Sequence, residues 1–296
     1  MGDIRCMPEG FKQSVAAELG NLVVAAYDQF RPAPADRPSK WPLSAPYQLI
    51  VEFSAAPPKH GPEKFGFVAR RTDTGDFYVI FRGTQTPGDW LANVDFLQLD
   101  QPSGWGKTEK GFSSVYGGSA PTIINALKNT GNPGHVFVAG HSLGGSLATL
   151  CTADVRRSLG AATTLYAFAS PRTGNPAFAN KFNEQCPGTW RIVNSEDIVN
   201  TVPLAATAVA ELNLAGLEHV AQDLERFPLL GPRVKEPLGR VRSLFDGENF
   251  EHVGGSVNFT QHNGSIVANH AMPTYLTALG VKIGTPLAQT AAASGS

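Results

Sequence analysis

The stretch Gly134-His-Val-Phe-Val-Ala-Gly-His-Ser-Leu-Gly-Gly-Ser-Leu-Ala148, running on to Gly160, decides how the rest of the chain is read. Val136, Phe137, Val138 and Ala139 form a short apolar run that stops at Gly140-His141-Ser142-Leu143-Gly144. Apolar residues then recur at Leu147, Leu150, Cys151, Val155 and Leu159, the period of a helix face. The pattern is strand, tight turn, helix. A serine at the tip of such a turn has a strained backbone, and side chains two residues to either side would collide with the helix or the neighbouring strand. Gly140 and Gly144 remove those side chains. Amide N–H groups without helical acceptors, and the positive end of the helix dipole, then lie beside the serine oxygen, where a substrate oxyanion would be stabilised. A G-x-S-x-G match alone recurs by chance in a glycine-rich chain, and a plain helix-capping serine is its ordinary reading. Here the flanking strand and helix carry the weight.

Working outward, apolar positions at Val15, Leu19, Leu22, Val23, Ala26 and Phe30 predict a helix over 11–30 that covers one side of a sheet. A proline-rich surface loop, Arg31 to Pro46, leads to three strands at 47–53, 65–70 and 77–81, the last two joined as an antiparallel hairpin through Thr72-Asp-Thr-Gly-Asp76. A helix from about Pro121 to Lys128 precedes the central strand. After it come a strand at 163–169, a helix at 177–186 and a strand at 190–194 that ends at Ser195-Glu196-Asp197. A further strand is expected at 252–259, and Asn269-His270 is read as opening a terminal helix. Strand alternating with helix implies a mostly parallel sheet, whose working edge lies outside the carboxyl ends of its strands. The expectation is one α/β domain over 1–296, since no linker divides the chain.

The composition excludes several functions. A net charge of −1 gives no nucleic-acid surface. Three cysteines, Cys6, Cys151 and Cys186, are too few and too scattered for a disulfide framework or a zinc site. No stretch approaches a transmembrane span, and the start of the chain lacks the apolar core of a signal peptide. The protein is expected to be cytoplasmic, or secreted with its signal trimmed. The oligomeric state is left open.

A serine hydroxyl needs an imidazole to take its proton, and that imidazole needs an acid to fix its tautomer. In the α/β-hydrolase arrangement the chain order is serine, acid, histidine. His60 and His135 precede the serine, and His141 should point to the other face of its strand. His219 lies in an expected inserted helix, and His252 suits a structural role. His270, beyond the last strand, is free to reach back over the edge. Among the acids, Asp197 and its neighbour Glu196 follow a strand directly. Alternation does not separate them, but the shorter aspartate fits a tight turn better. Thr84, in Phe81-Arg-Gly-Thr84 at another strand end, offers an N–H and a hydroxyl as a second oxyanion donor, or merely leaves its strand into a turn. Asp89 to Leu97, with Trp90, Leu91, Val94 and Leu97 on one side, reads as a short helix, either a lid or a fixed core element.

Taken together, Phe81-Arg-Gly-Thr84, Gly140-His-Ser-Leu-Gly-Gly145, Asn194-Ser-Glu-Asp197 with Val202-Pro203, and Phe250-Glu-His-Val-Gly254 before Asn269-His270 and Tyr275-Leu276 resemble the class 3 lipases, the fungal-type triacylglycerol lipase family. The matches run in order over about 65–280. The resemblance implies a triad of Ser142, Asp197 and His270, an oxyanion hole from Thr84 and the Leu143 amide, and a lid over about 86–95 that includes Trp90, Leu91 and Val94. Two departures stand out. The cysteines that give many secreted fungal members their disulfides are missing, and Ala205 to Glu248 is far longer than the usual connection from aspartate to histidine. That segment is expected to form an extra helical cap over about 205–248. The expected activity is hydrolysis of lipid esters through a serine acyl-enzyme, with no metal or organic cofactor and at a transient lipid–water interface. Within enzymes the alternatives are a phospholipase, a feruloyl-type esterase and an acyltransferase; outside them, an idle hydrolase scaffold that binds lipid.

Overall fold

The computed structural model describes residues 4, 7–30, 42–56, 61–84, 97–101, 104–131, 133–203 and 249–281. Helix α1 (Gln13–Phe30) leads into three strands, β1 (Tyr47–Ala55), β2 (Glu63–Arg71) and β3 (Phe77–Phe81). Two short strands, β4 (Gln98–Asp100) and β5 (Lys107–Glu109), form their own ladder before α2 (Lys110–Asn129). Then come β6 (His135–His141), α3 (Leu143–Leu159), β7 (Ala162–Phe168), α4 (Pro176–Gln185), β8 (Thr189–Asn194), a 3₁₀ turn at Ile198–Thr201, β9 (Gly255–Phe259), α5 (Ile266–His270) and α6 (Met272–Ala278).

The main sheet has the order β1-β2-β3-β6-β7-β8-β9. The first two pairings are antiparallel and every pairing from β3 onward is parallel. This is the α/β architecture that the alternation of patterns implies. Both faces of the parallel part are covered, which is why β3 and β6 read as apolar runs without alternation. On one face α1 and α6 pack Leu19, Leu22, Val23, Ala26 and Tyr275 against Ile80, Ala139 and Phe168. On the other, α2, α3 and α4 pack Ile123, Leu147 and Phe178 against Val79, Val138 and Leu165. Each such buried aliphatic or aromatic side chain contributes about 1.5–3 kcal/mol over leaving it exposed. No helix among the described residues is long and apolar enough to cross a membrane.

Three expectations are corrected. Helix α2 starts at Lys110, where the Glu109 carboxylate accepts from the Phe112 N–H at 2.6 Å, and Pro121 lies inside it. Pro121 sits on an exposed face, so the Gly117 carbonyl it leaves without a helical donor can turn to water. Strand β9 begins at Gly255, so His252 lies in the approach to it. Finally, His270 closes the short helix α5 and Ala271 separates it from α6. Pro273, in the first turn of α6, restarts the helix there rather than continuing the preceding one.

Candidate active site

The turn after β6 is as tight as the two glycines demand. A Cβ on Gly140 would run into the Gly144 carbonyl, and one on Gly144 into the Arg82 carbonyl. Between them Ser142 adopts φ 59° and ψ −131°, a strained conformation for a residue with a side chain. Its amide donates to the Phe168 carbonyl at 3.0 Å, which fastens the turn to β7. The side chain is fully buried and its Oγ has no hydrogen-bond partner. Leu143 is the first residue of α3, so its N–H has no acceptor within the helix.

Asp197 caps the 3₁₀ turn that follows β8, its Oδ1 accepting from the Val199 N–H at 3.0 Å. Its Oδ2 accepts from His270 Nδ1 at 2.7 Å and from the Tyr275 hydroxyl at 2.6 Å. Because Nδ1 faces a carboxylate, it carries the proton and Nε2 presents a lone pair. That Nε2 is buried and has no partner. Burial, and then the neighbouring Asp197 charge, push the Tyr275 hydroxyl well above the usual phenol range, so it stays a donor. Two asparagines hold the aspartate and histidine segments together. Asn194 Nδ2 donates to the carbonyls of Gln261 and Asn269 at 3.0 and 3.1 Å, and Asn269 Nδ2 returns a bond to the Glu196 carbonyl at 3.1 Å.

At the end of β3, Gly83 presses against the nucleophile turn: a Cβ there would lie 2.8 Å from Ser142 Cβ and 2.7 Å from the His141 carbonyl oxygen. Its carbonyl accepts from Arg82 Nη1 at 2.7 Å. Since the peptide is planar and trans, this bond also aims the Thr84 N–H in the opposite direction. Thr84 Oγ1 is buried without a partner. Three buried polar atoms, on Ser142, His270 and Thr84, are thus left without protein partners, each of a kind that a reacting ester would engage. Ser142 and His270 form no hydrogen bond to each other here. Such bonds are often loose without substrate.

The other acids and histidines go elsewhere. Glu196 lies at the surface against His262 at 3.1 Å. His252 has Nε2 2.8 Å from the Asn200 carbonyl, and burial holds its imidazole well below the usual histidine range. Cys151 and Cys186 are free and buried. Trp90, Leu91 and Val94, with the expected lid over 86–95 and the expected cap over 205–248, lie outside the described residues. Sequence reasoning missed Tyr27 and His141 as part of the site. His141 Nδ1 lies 2.7 Å from the Tyr27 hydroxyl and its Nε2 lies 2.7 Å from the His270 carbonyl. The alternation that sent His141 to the far face was right, and α1 waiting on that face was the available clue.

Comparison with known proteins agrees with this geometry. The family model for lipase (class 3) matches residues 78–207. The lipase of Rhizomucor miehei is 36% identical over 149 residues, which cover 47% of this chain and 40% of that protein. Phospholipase A1 EG1 (chloroplastic/mitochondrial) of Oryza sativa subsp. indica is 30% identical over 164 residues, 46% of this chain and 38% of its own. The matched stretch therefore spans about two fifths of these relatives. The solved structure of the Rhizomucor miehei triacylglyceride lipase superposes with a TM-score of 0.53 and 28% identity, covering 66% of this chain and 77% of that one. With the mostly parallel sheet and its strained serine turn, these matches identify an α/β-hydrolase fold, and over residues 78–207 the chain is similar to the class 3 lipases.

Proposed function

We propose that the protein is a serine carboxylic-ester hydrolase that cleaves acylglycerols, with Ser142, Asp197 and His270 as its triad. The observation that carries this reading is the pairing of Asp197 with His270 Nδ1 at 2.7 Å while His270 Nε2 and Ser142 Oγ stay buried and unpartnered. His270 Nε2 takes the Ser142 proton as Oγ bonds to the ester carbonyl carbon. The carbonyl electrons move to the oxygen, which accepts bonds from the Leu143 N–H and from Thr84. As the oxyanion collapses, the leaving alkoxide takes the proton from His270, and the acyl group stays on Ser142. Water then repeats the sequence: it gives a proton to His270, attacks the acyl carbon and releases the acid, and Ser142 recovers its proton.

The test is Ser142→Ala. Hydrolysis of a p-nitrophenyl acyl ester should fall at least about 10³-fold, and labelling by a fluorophosphonate should vanish. An alanine variant as active as the parent refutes the reading, and a parent that resists labelling supports a lipid-binding scaffold. A second reading, phospholipase A1 activity, is favoured by the similarity to the rice enzyme. A panel of acylglycerols and phospholipids, below and above their solubility limits, separates the two. A rate jump at the limit supports action at a lipid–water interface.

A further inference from the structure

We infer that Tyr27 and His141 are positioning residues that tie the oxyanion strand end to the backbone of His270, so that both sides of the reaction centre are set by one hydrogen-bonded chain. The inference rests on the serine-hydrolase reading above and names residues it does not use.

The direction of every bond in the chain is determined. His141 Nε2 faces the His270 carbonyl at 2.7 Å, and a carbonyl only accepts, so Nε2 carries the hydrogen. Burial, and then the proximity of His270, hold His141 well below the usual histidine range, which makes it a neutral imidazole with a lone pair on Nδ1. The Tyr27 hydroxyl, 2.7 Å away, donates to that lone pair. The Tyr27 oxygen in turn accepts the Gly83 N–H at 2.9 Å. The run is therefore Gly83 N–H to Tyr27, Tyr27 O–H to His141, and His141 N–H to the His270 carbonyl. Bonds aligned head to tail polarise and strengthen one another.

The two ends of this run are the segments that must be in register during reaction. Gly83 immediately precedes Thr84, and a Cβ on it would already lie 2.5 Å from the Tyr27 hydroxyl, so the loop is seated on that oxygen. At the other end the His141 ring lies against the His270 ring, with centroids 4.7 Å apart. Its neutrality matters there, because His270 becomes a cation when it takes the Ser142 proton, and a second charge at that distance would oppose it. Tyr27 and His141 act through Thr84 and His270.

The experiment compares the parent, Tyr27→Phe, His141→Phe and the double variant by fluorophosphonate labelling of Ser142 and by steady-state hydrolysis of a p-nitrophenyl acyl ester, well below each melting temperature. Tyr27→Phe should lower kcat about 10- to 100-fold with KM within about twofold, as expected for a small displacement of an oxyanion donor. The double variant should lose no more than the worse single variant, because breaking one chain twice adds nothing. An unchanged kcat in Tyr27→Phe overturns the inference, as do single losses that multiply in the double variant, since independent packing defects behave that way. If His141→Phe does not fold, the kcat and KM of Tyr27→Phe decide alone. A parent that is not labelled refutes the hydrolase reading itself, which differs from a labelled parent whose Tyr27→Phe variant labels equally fast.

Discussion

Tyr275 donates its hydroxyl hydrogen to the same oxygen of Asp197 that receives His270 Nδ1, at 2.6 and 2.7 Å. The aspartate is fully enclosed, and its remaining oxygen is engaged by the Val199 amide. All of its negative charge is thus met by directed donors, and it has no freedom to rotate away from the imidazole.

Tyr275→Phe removes one of those donors while keeping the ring that packs edge-on against Phe259, with centroids 5.2 Å apart. We expect kcat to fall about 5- to 30-fold, in line with the loss of about 1–2 kcal/mol from a charge-assisted bond, with little change in KM. Steady-state kinetics on a soluble ester would show it. A variant with unaltered kcat would mean that His270 and Val199 suffice to hold Asp197.

Asp197→Asn is a harsher change. An asparagine amide can present its N–H to His270 and leave Nδ1 as the acceptor, which puts the proton on Nε2 where the proposed mechanism requires a lone pair toward Ser142. By analogy with triads in general, kcat should drop about 10³- to 10⁴-fold while the fold persists. Circular dichroism and ester hydrolysis on one preparation check both halves. Loss of less than tenfold would show that another group orients His270.

Gly144→Ala tests the turn. The added methyl would meet the Arg82 backbone carbonyl, not the end of a flexible side chain. Relief requires α3 to shift from β3, so we expect a loss of about 1–3 kcal/mol in urea unfolding and a large loss of activity. A variant of parental stability and activity would show that this packing is looser than the geometry indicates.

Acid should weaken the fold through two buried histidines. Burial, first of all, keeps the imidazoles of His141 and His252 below the usual range, so both are neutral in the folded protein near neutral pH. The unfolded chain binds these protons below about pH 6.5 and the folded one does not until much lower, so stability is complete above that pH and falls as the medium becomes more acid. Each contributes a slope of about 1.4 kcal/mol per pH unit in that window. His252→Gln keeps a donor for the Asn200 carbonyl without the titration, and its unfolding free energy should decline less steeply between pH 6.5 and 5 by about that slope. Identical slopes in the two proteins would refute the assignment.

Much of this was legible in the chain because it has local causes. The period-2 and period-3.6 patterns around Ser142, and the small residues that only a close approach requires, specify strand, turn and helix within a dozen residues. Elimination among the histidines favoured His270, whereas Glu196 and Asp197 both follow β8 directly and only the fit of a shorter side chain to a tight turn favoured Asp197. Pro121 misled because its helix-breaking effect is local while the α2 boundary is set by the Glu109 carboxylate and by packing of Phe112 and Val115. The bonds of Tyr27 to His141 and of Tyr275 to Asp197 were invisible for the opposite reason. Tyr27 and His141 stand 114 residues apart, and only the tertiary fold brings their atoms together.

The residues that flank 204–248 are moored on both sides. The Pro203 carbonyl is held by Arg172 Nη1 at 2.7 Å, and the Asn249 carbonyl by Gln98 Nε2 at 2.9 Å, with Glu251 bridged to Gly174 just beyond. A chain whose stumps are pinned in this way can be lengthened at an entropic cost of only about 0.6 kcal/mol for each doubling of the span. Descent can therefore change the length of that stretch while the ties of Arg172 to Pro203 and of Gln98 to Asn249 stay as they are.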